Sequence, residues 1–474
     1  VAEGATVAGR GRLERLSPWV LLAAAGAAWT TSFLGGFQFD DFRAVVGDPR
    51  VQSLGAWWRS MPGIRPLLKL SYAANHASGL GLAGFHAVNL AAHGAAALLA
   101  FALLRRLEAR LGAARGERAG AAALLGALIF ALHPVQVEAV TYVSGRSASL
   151  SGALALGSAL AFVAGRDAGR PALHRVVSPL LLAASLCVKE VAVVLPAALL
   201  LLERARKGPA PWREALRATA PHWAVAVAAA AAMLAAAPYR AMAERSLALR
   251  PPLANLLTQA EASAWLAGQL VRLDRLNADP ALPAVAAPTA RSIAALAAVA
   301  AGAAAGAALL RRKPAAAAGA LWFLLWLAPQ GWVLPRPEPA SERQLYLAIL
   351  GPAWALGRWV AGRGRGAAPR LAAGLALAAG LGAATARRSL VYVDEVTFWS
   401  DVVRKAPGSA RAHANLGHAL ALACRRAEAE ASLALALALD PGQFRAAANL
   451  RLLREGALPD RGAPCAPAAP DPRR

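Results

Sequence analysis

The chain has 474 residues, 57% of them apolar and only 16% charged, with a mean hydropathy of +0.43; soluble domains carry about a quarter charged residues, so an ordinary soluble globule is excluded. Its 51 basic and 27 acidic residues leave a net charge of +24. The basic residues fall in short, separate loops, which fits a positive-inside bias and excludes a nucleic-acid-binding face. The three cysteines, Cys187, Cys424 and Cys465, have neither metal-ligand spacing nor the density of a disulfide framework.

The first apolar span is expected at 17–36. Arg10, Arg12 and Arg15 precede it, which predicts a cytoplasmic N-terminus and an uncleaved signal anchor. Residues 37–84 are too polar to span and form a first external loop, opening on Phe37-Gln38-Phe39-Asp40-Asp41-Phe42-Arg43. Further spans are expected at 85–104, 119–138 and 143–163. The apolar stretch 176–202 is broken by Lys189-Glu190 and Pro196 and predicts two half-buried helices, 176–188 and 191–202, with Lys189-Glu190 at their outer turn. A span at 222–238 leads to a second external loop, 239–291, with an interfacial helix around Leu256 to Leu273. Spans at 292–310, 316–334, 344–361 and 370–387 bring the total to about eleven membrane helices, an odd count that puts the rest of the chain outside.

Residues 1–387 thus read as one membrane domain, and 388–456 as a helical segment of different character. From Pro407 the chain runs Ala412, Leu416-Gly417, Leu420, Ala429, Leu433, Ala436 and Pro441, and the two prolines are 34 residues apart. Small residues at the helix contacts and a proline ending the second helix at that period make the tetratricopeptide pattern. A second unit starts at Ala447 and Leu450 and stops. The Pro- and Arg-rich tail 457–474 predicts disorder.

The residues able to do chemistry crowd the predicted external face. Asp40 and Asp41 sit where the chain leaves the first span. A carboxylate at a low-dielectric boundary has a raised pKa; it is fitted to act as a general base toward a hydroxyl, or to hold a divalent cation such as Mg2+ or Mn2+. His133 and Glu138 lie in a polar hairpin with Arg146 beyond it, five residues separating the first two, which is no zinc motif. Arg146 is a candidate for a phosphate. Lys189-Glu190 in an apolar run needs a partner or a cavity. Arg65 and the pair Glu342-Arg343 complete the set, and Asn89 and His93, four apart, predict inter-helix hydrogen bonds. No phosphate-binding glycine loop, nucleophile elbow or Cys/His metal motif occurs.

The order of these motifs is similar to that of a known family. Phe39-Asp40-Asp41, Asp48-Pro49, Arg65-Pro66, Phe85-His86-Ala87-Val88-Asn89, His133-Pro134-Val135-Gln136-Val137-Glu138, Lys189-Glu190, Glu342-Arg343 and a terminal tetratricopeptide segment together resemble the transmembrane and tetratricopeptide-repeat O-mannosyltransferases and their bacterial relatives. The resemblance implies a GT-C glycosyltransferase fold and a polyprenyl-phosphate-linked sugar donor. It implies transfer to a protein or peptide hydroxyl outside the cytosol, in a bacterial inner membrane. Asp40 and Asp41 inherit the catalytic acidic pair, with either one as base and with any metal beside them. Arg65, His133, Glu138, Arg146, Lys189, Glu190, Glu342 and Arg343 are carried over as residues that bind the donor phosphate or support the acids. Eukaryotic members of the family carry many repeats, whereas about one and a half are read in these 474 residues. A non-enzymatic scaffold presenting the helical segment, and a lipid-linked-sugar transporter, are the alternatives.

Overall fold

The computed structural model describes residues 12–61, 63–111, 117–206, 211–362 and 367–456. The expectations resting on Arg10 and on the tail 457–474 lie outside these residues. All regular structure among the described residues is helical, which is the way an apolar chain satisfies its own backbone without water. Five helices are long and apolar enough to cross a membrane: Gly81–Arg110, Val143–Asp167, Trp212–Ala235, Ala290–Leu309 and Ala368–Tyr392. A sixth crossing arises if Arg118–Leu132 and Pro134–Val140, bent by 48° at their junction, count as one. The break has a local cause: Pro134 has no N–H to continue the helix, and His133 caps the turn with its own ring. The chain therefore has the helical architecture of a polytopic membrane protein. The other apolar stretches expected to span form shorter helices, such as Arg12–Ala28, Pro314–Leu327 and Leu350–Val360.

The chain divides into two compact units, Val1–Leu276 with Leu282–Leu390, and Asn277–Ala281 with Val391–Arg474. In the first, Gly81–Arg110 lies against both Glu117–Leu132 and Arg146–Asp167. As expected, Asn89 and His93 join helices. The Asn89 amide donates to the carbonyls of Val140, Tyr142 and Val143, and the His93 ring meets the Ala131 carbonyl and the Tyr346 hydroxyl. The second predicted loop folds into Ala237–Leu247 and Pro252–Gln269, and the latter buries Asn255, Thr258, Gln259 and Ser263.

The second unit is a stack of Glu395–Lys405, Ala410–Leu422, Arg426–Leu439 and Phe444–Arg454. Gly417 is needed where two helices touch: a Cβ there would come 2.6 Å from Leu433 Cγ. Leu420, Ala429, Leu433 and Ala436 form the core with Leu450 and Leu453. Cys187 is free but Cys424 is disulfide-bonded. Three cysteines without a spacing pattern gave no sign of it.

Candidate functional site

The frame of the site is the hairpin 133–146. It is closed on itself tightly: a Cβ at Gly145 would collide with the Glu138 carbonyl. Its two ends hold two different loops. On one side, the Ser144 N–H donates to Asp41 Oδ1 at 2.7 Å, and the Tyr142 hydroxyl accepts the Asp40 N–H at 2.9 Å. On the other, Glu138 accepts from Ser341 Oγ at 2.8 and 2.9 Å and from the Arg343 N–H at 2.9 Å, and pairs with Arg343 Nε at 3.3 Å.

The adjacent acids differ sharply. Asp41 is fully buried, and its other oxygen accepts the Gln38 N–H at 3.0 Å. Burial pushes its carboxyl up to about 7, against the opposing effect of the Gln38 and Ser144 amides. Asp40 is exposed, and its carboxylate makes no hydrogen bond among the described residues. The chain enters this turn through Phe39 at φ 32, and Arg65 at φ 52 is also left-handed. Such positions cost about 1–3 kcal/mol each in non-glycine residues and persist where the surroundings fix them.

Arg65 grips Glu190 with both ends of its fork, Nε to Oε1 at 2.9 Å and Nη2 to Oε2 at 2.7 Å, while the Tyr239 hydroxyl donates to Oε1 at 3.1 Å. Burial acts against it, but the Arg65 charge holds the Glu190 carboxyl below its usual range. Glu342 is fully buried and paired with Arg388 at 2.9 Å. Lys189 is left over. It is only 6% exposed, yet no carboxylate lies within 4.0 Å of it among the described residues. Burial first, then the charges of Arg343, Arg336 and Arg65, push its ammonium well below the ordinary lysine range. Arg336 is in the same position: half-buried, without a carboxylate within 4.0 Å among the described residues. Burial and then Arg343 and Arg65 bring it down to about 10, with Glu338 offsetting part of this. Cations held together with fewer carboxylates than they need make a region of positive potential that favours an anion.

The acids and the cations share one neighbourhood. The buried Tyr142 feels the charges of Asp41, Asp40 and Arg343, and the buried Tyr72 those of Arg146, Asp41, Arg65 and Arg343. The Leu67 N–H donates to the Cys187 carbonyl at 3.2 Å, docking the first loop on the Lys189 turn.

Two sequence candidates are bound to other groups of the fold. Arg146 is fully buried and its guanidinium donates to Asn89 Oδ1, to the Ser71 carbonyl and hydroxyl, and to the Phe85 carbonyl, while stacked near Tyr72 and Phe85. His133 accepts the Val135 N–H on Nδ1 and meets the Leu270 carbonyl through Nε2. Both side chains are engaged in holding the fold around the hairpin, and Arg146 uses four of its five N–H donors there. A metal at Asp40 and Asp41 would find few protein ligands there. No three His, Cys, Asp or Glu side chains gather for a metal among the described residues, and both Asp41 oxygens already accept amides. The residues present do not make a protein-built divalent-cation site.

Sequence reasoning missed Arg336, Arg388, Ser341, Tyr142 and Tyr239. The one signal available was an arginine set between prolines, Pro335-Arg336-Pro337. Arg387 and Arg388 are adjacent and chemically identical, yet Arg387 is exposed and Arg388 buried.

Against known proteins, no family profile matches and no solved structure matches. Over 137 residues the chain is 34% identical to mouse (Mus musculus) protein O-mannosyl-transferase TMTC4, covering 24% of this chain and 18% of that protein. It is 32% identical to the human (Homo sapiens) TMTC4 over 153 residues, 27% and 21% of the two chains, and 33% identical to Drosophila melanogaster protein O-mannosyl-transferase Tmtc2 over 129 residues, 24% and 13%. The matched stretch spans about a fifth or less of the length of these curated relatives.

Proposed function

We propose that the chain is a membrane glycosyltransferase that moves a sugar, mannose first among the candidates, from a polyprenyl-phosphate-linked donor to a hydroxyl of a protein or peptide. The observation that carries this reading is one hairpin holding an exposed carboxylate, Asp40, beside a group of cations of which Lys189 and Arg336 lack a counter-charge. The partial likeness to O-mannosyl-transferases supports the choice of reaction. We read the scaffold as a GT-C fold of about eleven membrane helices, the shorter apolar helices completing the set, with the N-terminus cytoplasmic and the acids on the external face of a bacterial inner membrane. The helices Ala410–Leu422 and Arg426–Leu439 are read as a tetratricopeptide unit that meets the acceptor.

Of the two acids, Asp40 is the base and Asp41 a positioning residue. Asp40 is the one a substrate can reach; Asp41 has both oxygens turned onto the backbone. In the step, Asp40 takes the proton of the acceptor hydroxyl as its oxygen attacks C1 of the sugar. The bond from C1 to the phosphate oxygen breaks, and its electron pair leaves on the polyprenyl phosphate. That leaving group gains a negative charge, which Lys189, Arg336 and Arg343 stabilise. No step is routed through a metal; a Mg2+ ion here would need most of its ligands from phosphate and water.

The test is transfer in proteoliposomes from polyprenyl-phosphate-[3H]mannose to Ser/Thr peptides. Labelled peptide that disappears with Asp40→Asn supports the reading. Donor that crosses the bilayer without transfer indicates a transporter, and full activity in Asp40→Asn removes Asp40 as base.

A further inference from the structure

The helix Ala237–Leu247 buries none of its residues. Tyr239, Ala243 and Ser246 are half-buried and the rest are exposed. That spacing of four and three puts the inner positions on one narrow face of the helix. The face carries no large aliphatic side chain, so hydrogen bonds, more than apolar burial, hold it in place. The Tyr239 hydroxyl donates to Glu190 Oε1 at 3.1 Å, and the Ser246 hydroxyl to the Pro335 carbonyl at 2.5 Å. Just beyond the helix, Arg250 Nη2 donates to the Arg336 carbonyl at 2.6 Å. Extended residues flank the segment at both ends, Ala236 at φ −82 and ψ 122 and Pro251 at φ −58 and ψ 151.

These bonds fall on the two segments that carry the cations without a carboxylate. Glu190 follows Lys189 directly, and Pro335 precedes Arg336. Tyr239 and Ser246 are seven residues apart, roughly 10 Å along the helix, so one rod joins the Lys189 turn to the Arg336 loop. The two cations repel each other, and a bound anion attracts both. Seating the helix excludes water from them, which strengthens each contact to that anion. An element with no buried residue and polar tethers opens at low cost. An anion that binds the seated form more tightly shifts the balance toward closure.

We propose that Ala237–Leu247 is a strap that closes on the phosphate of the lipid-linked donor, with Tyr239 and Ser246 as its latches on the Lys189 turn and the Arg336 loop. The proposal rests on the donor reading given above. Hydrogen exchange read by mass spectrometry tests it, on the full chain in phosphatidylcholine nanodiscs with polyprenyl phosphate as the probe. The amides of 237–250 are expected to exchange about tenfold more slowly with polyprenyl phosphate bound. Tyr239→Phe keeps the ring and removes one latch. Its 237–250 amides should exchange about tenfold faster, and polyprenyl phosphate should dissociate about tenfold faster, from loss of one bond to a carboxylate. Unchanged exchange in Gly81–Arg110 confirms that the variant is folded. Polyprenyl phosphate retained with no change in 237–250 overturns the strap and leaves the donor reading standing. Failure to retain polyprenyl phosphate overturns both. Unchanged dissociation from Tyr239→Phe makes the helix a static cover and overturns the strap. So does equal slowing by phosphatidylglycerol at the same mole fraction, which makes the helix a seat for bulk lipid.

Discussion

The first unit carries two buried charge clusters, toward opposite ends of Gly81–Arg110, and they are built differently. In one, Glu203 meets Arg110 and Arg166, Asp167 meets Arg110, and Glu214 meets Arg166 and Arg206, so each charge has an opposite neighbour. Nearby on the same helix, Glu108 is capped by the Trp354 N–H at 2.6 Å and by Arg358 at 2.5 Å. In the other, Arg65, Arg343 and Arg388 have carboxylates, but Lys189 and Arg336 have none. A closed network holds helices together and has no reason to admit a ligand. A cluster left short of negative charge is costly by itself and is relieved by an anion from outside. Ion pairing alone therefore does not mark a site in such a protein; the mismatch does.

The comparison gives an ordered set of tests. Asp40→Asn carries the largest effect: the side chain makes no bond in the fold, so unfolding is unchanged while kcat falls about 10^2 to 10^4-fold, as for loss of a general base. A measured loss of stability with activity intact would reverse the roles of the two acids. In the closed cluster, Glu203→Gln breaks a buried network and is expected to cost about 3 kcal/mol of stability, read by thermal unfolding in detergent, with transfer per folded molecule unchanged.

Asp41→Asn comes next. The Asn amide can replace one carboxylate oxygen, but its NH2 then faces the Gln38 or the Ser144 N–H, donor against donor, at a cost of about 2 kcal/mol. Its pH signature has a definite sign. The folded carboxyl sits at about 7 and the free one at 3.8, so the folded state holds the proton more tightly. This contribution to stability is fully present below pH 3.8 and is lost as pH rises through about 7. Urea titrations across that window should show the slope in the native chain and its absence in Asp41→Asn.

Lys189→Met is the smallest and the sharpest. Removing an unpaired buried cation leaves stability unchanged or raises it by about 1 kcal/mol, while KM for the donor rises about tenfold through loss of a charge-assisted contact. A destabilised Lys189→Met would mean that the open cluster is structural like the closed one. Its own surroundings hold the Lys189 ammonium below the ordinary lysine range, and a bound anion would favour the charged form. Donor binding should therefore take up a proton and weaken as pH rises, which calorimetry in buffers of different ionisation enthalpy measures.

Much of this was legible in the sequence because polar residues are conspicuous in an apolar chain. Glu138 and Glu342-Arg343 were expected in one region, and Glu138 does bind the Arg343 side chain and backbone. What the sequence lacked was direction. Lys189 and Glu190 are neighbours in the chain but do not pair with each other; Glu190 goes to Arg65, 125 residues away, and Lys189 is left without a carboxylate. Arg146 looked like a phosphate ligand from its place beside the hairpin, yet Asn89, Ser71 and Phe85 absorb its donors. Neither fact is encoded in spacing, because each depends on which carbonyls the packed helices leave open. The number of spans was blurred for a related reason: Lys189-Glu190 and Pro134 break apolar runs into pieces too short to classify by length.

Gly145 sets the gauge of the whole site. The hairpin it closes is a single short run of backbone, with the Asp40–Asp41 turn hung on one end and the Ser341–Arg343 turn on the other. The spacing between the Asp40–Asp41 turn and the Ser341–Arg343 turn is thus set by one run of backbone to which both are hydrogen-bonded. Surrounding loops are free to diverge and change what is recognised while that gap stays constant. A methyl group at Gly145 would widen it from within, and would uncouple two subsites without touching either one.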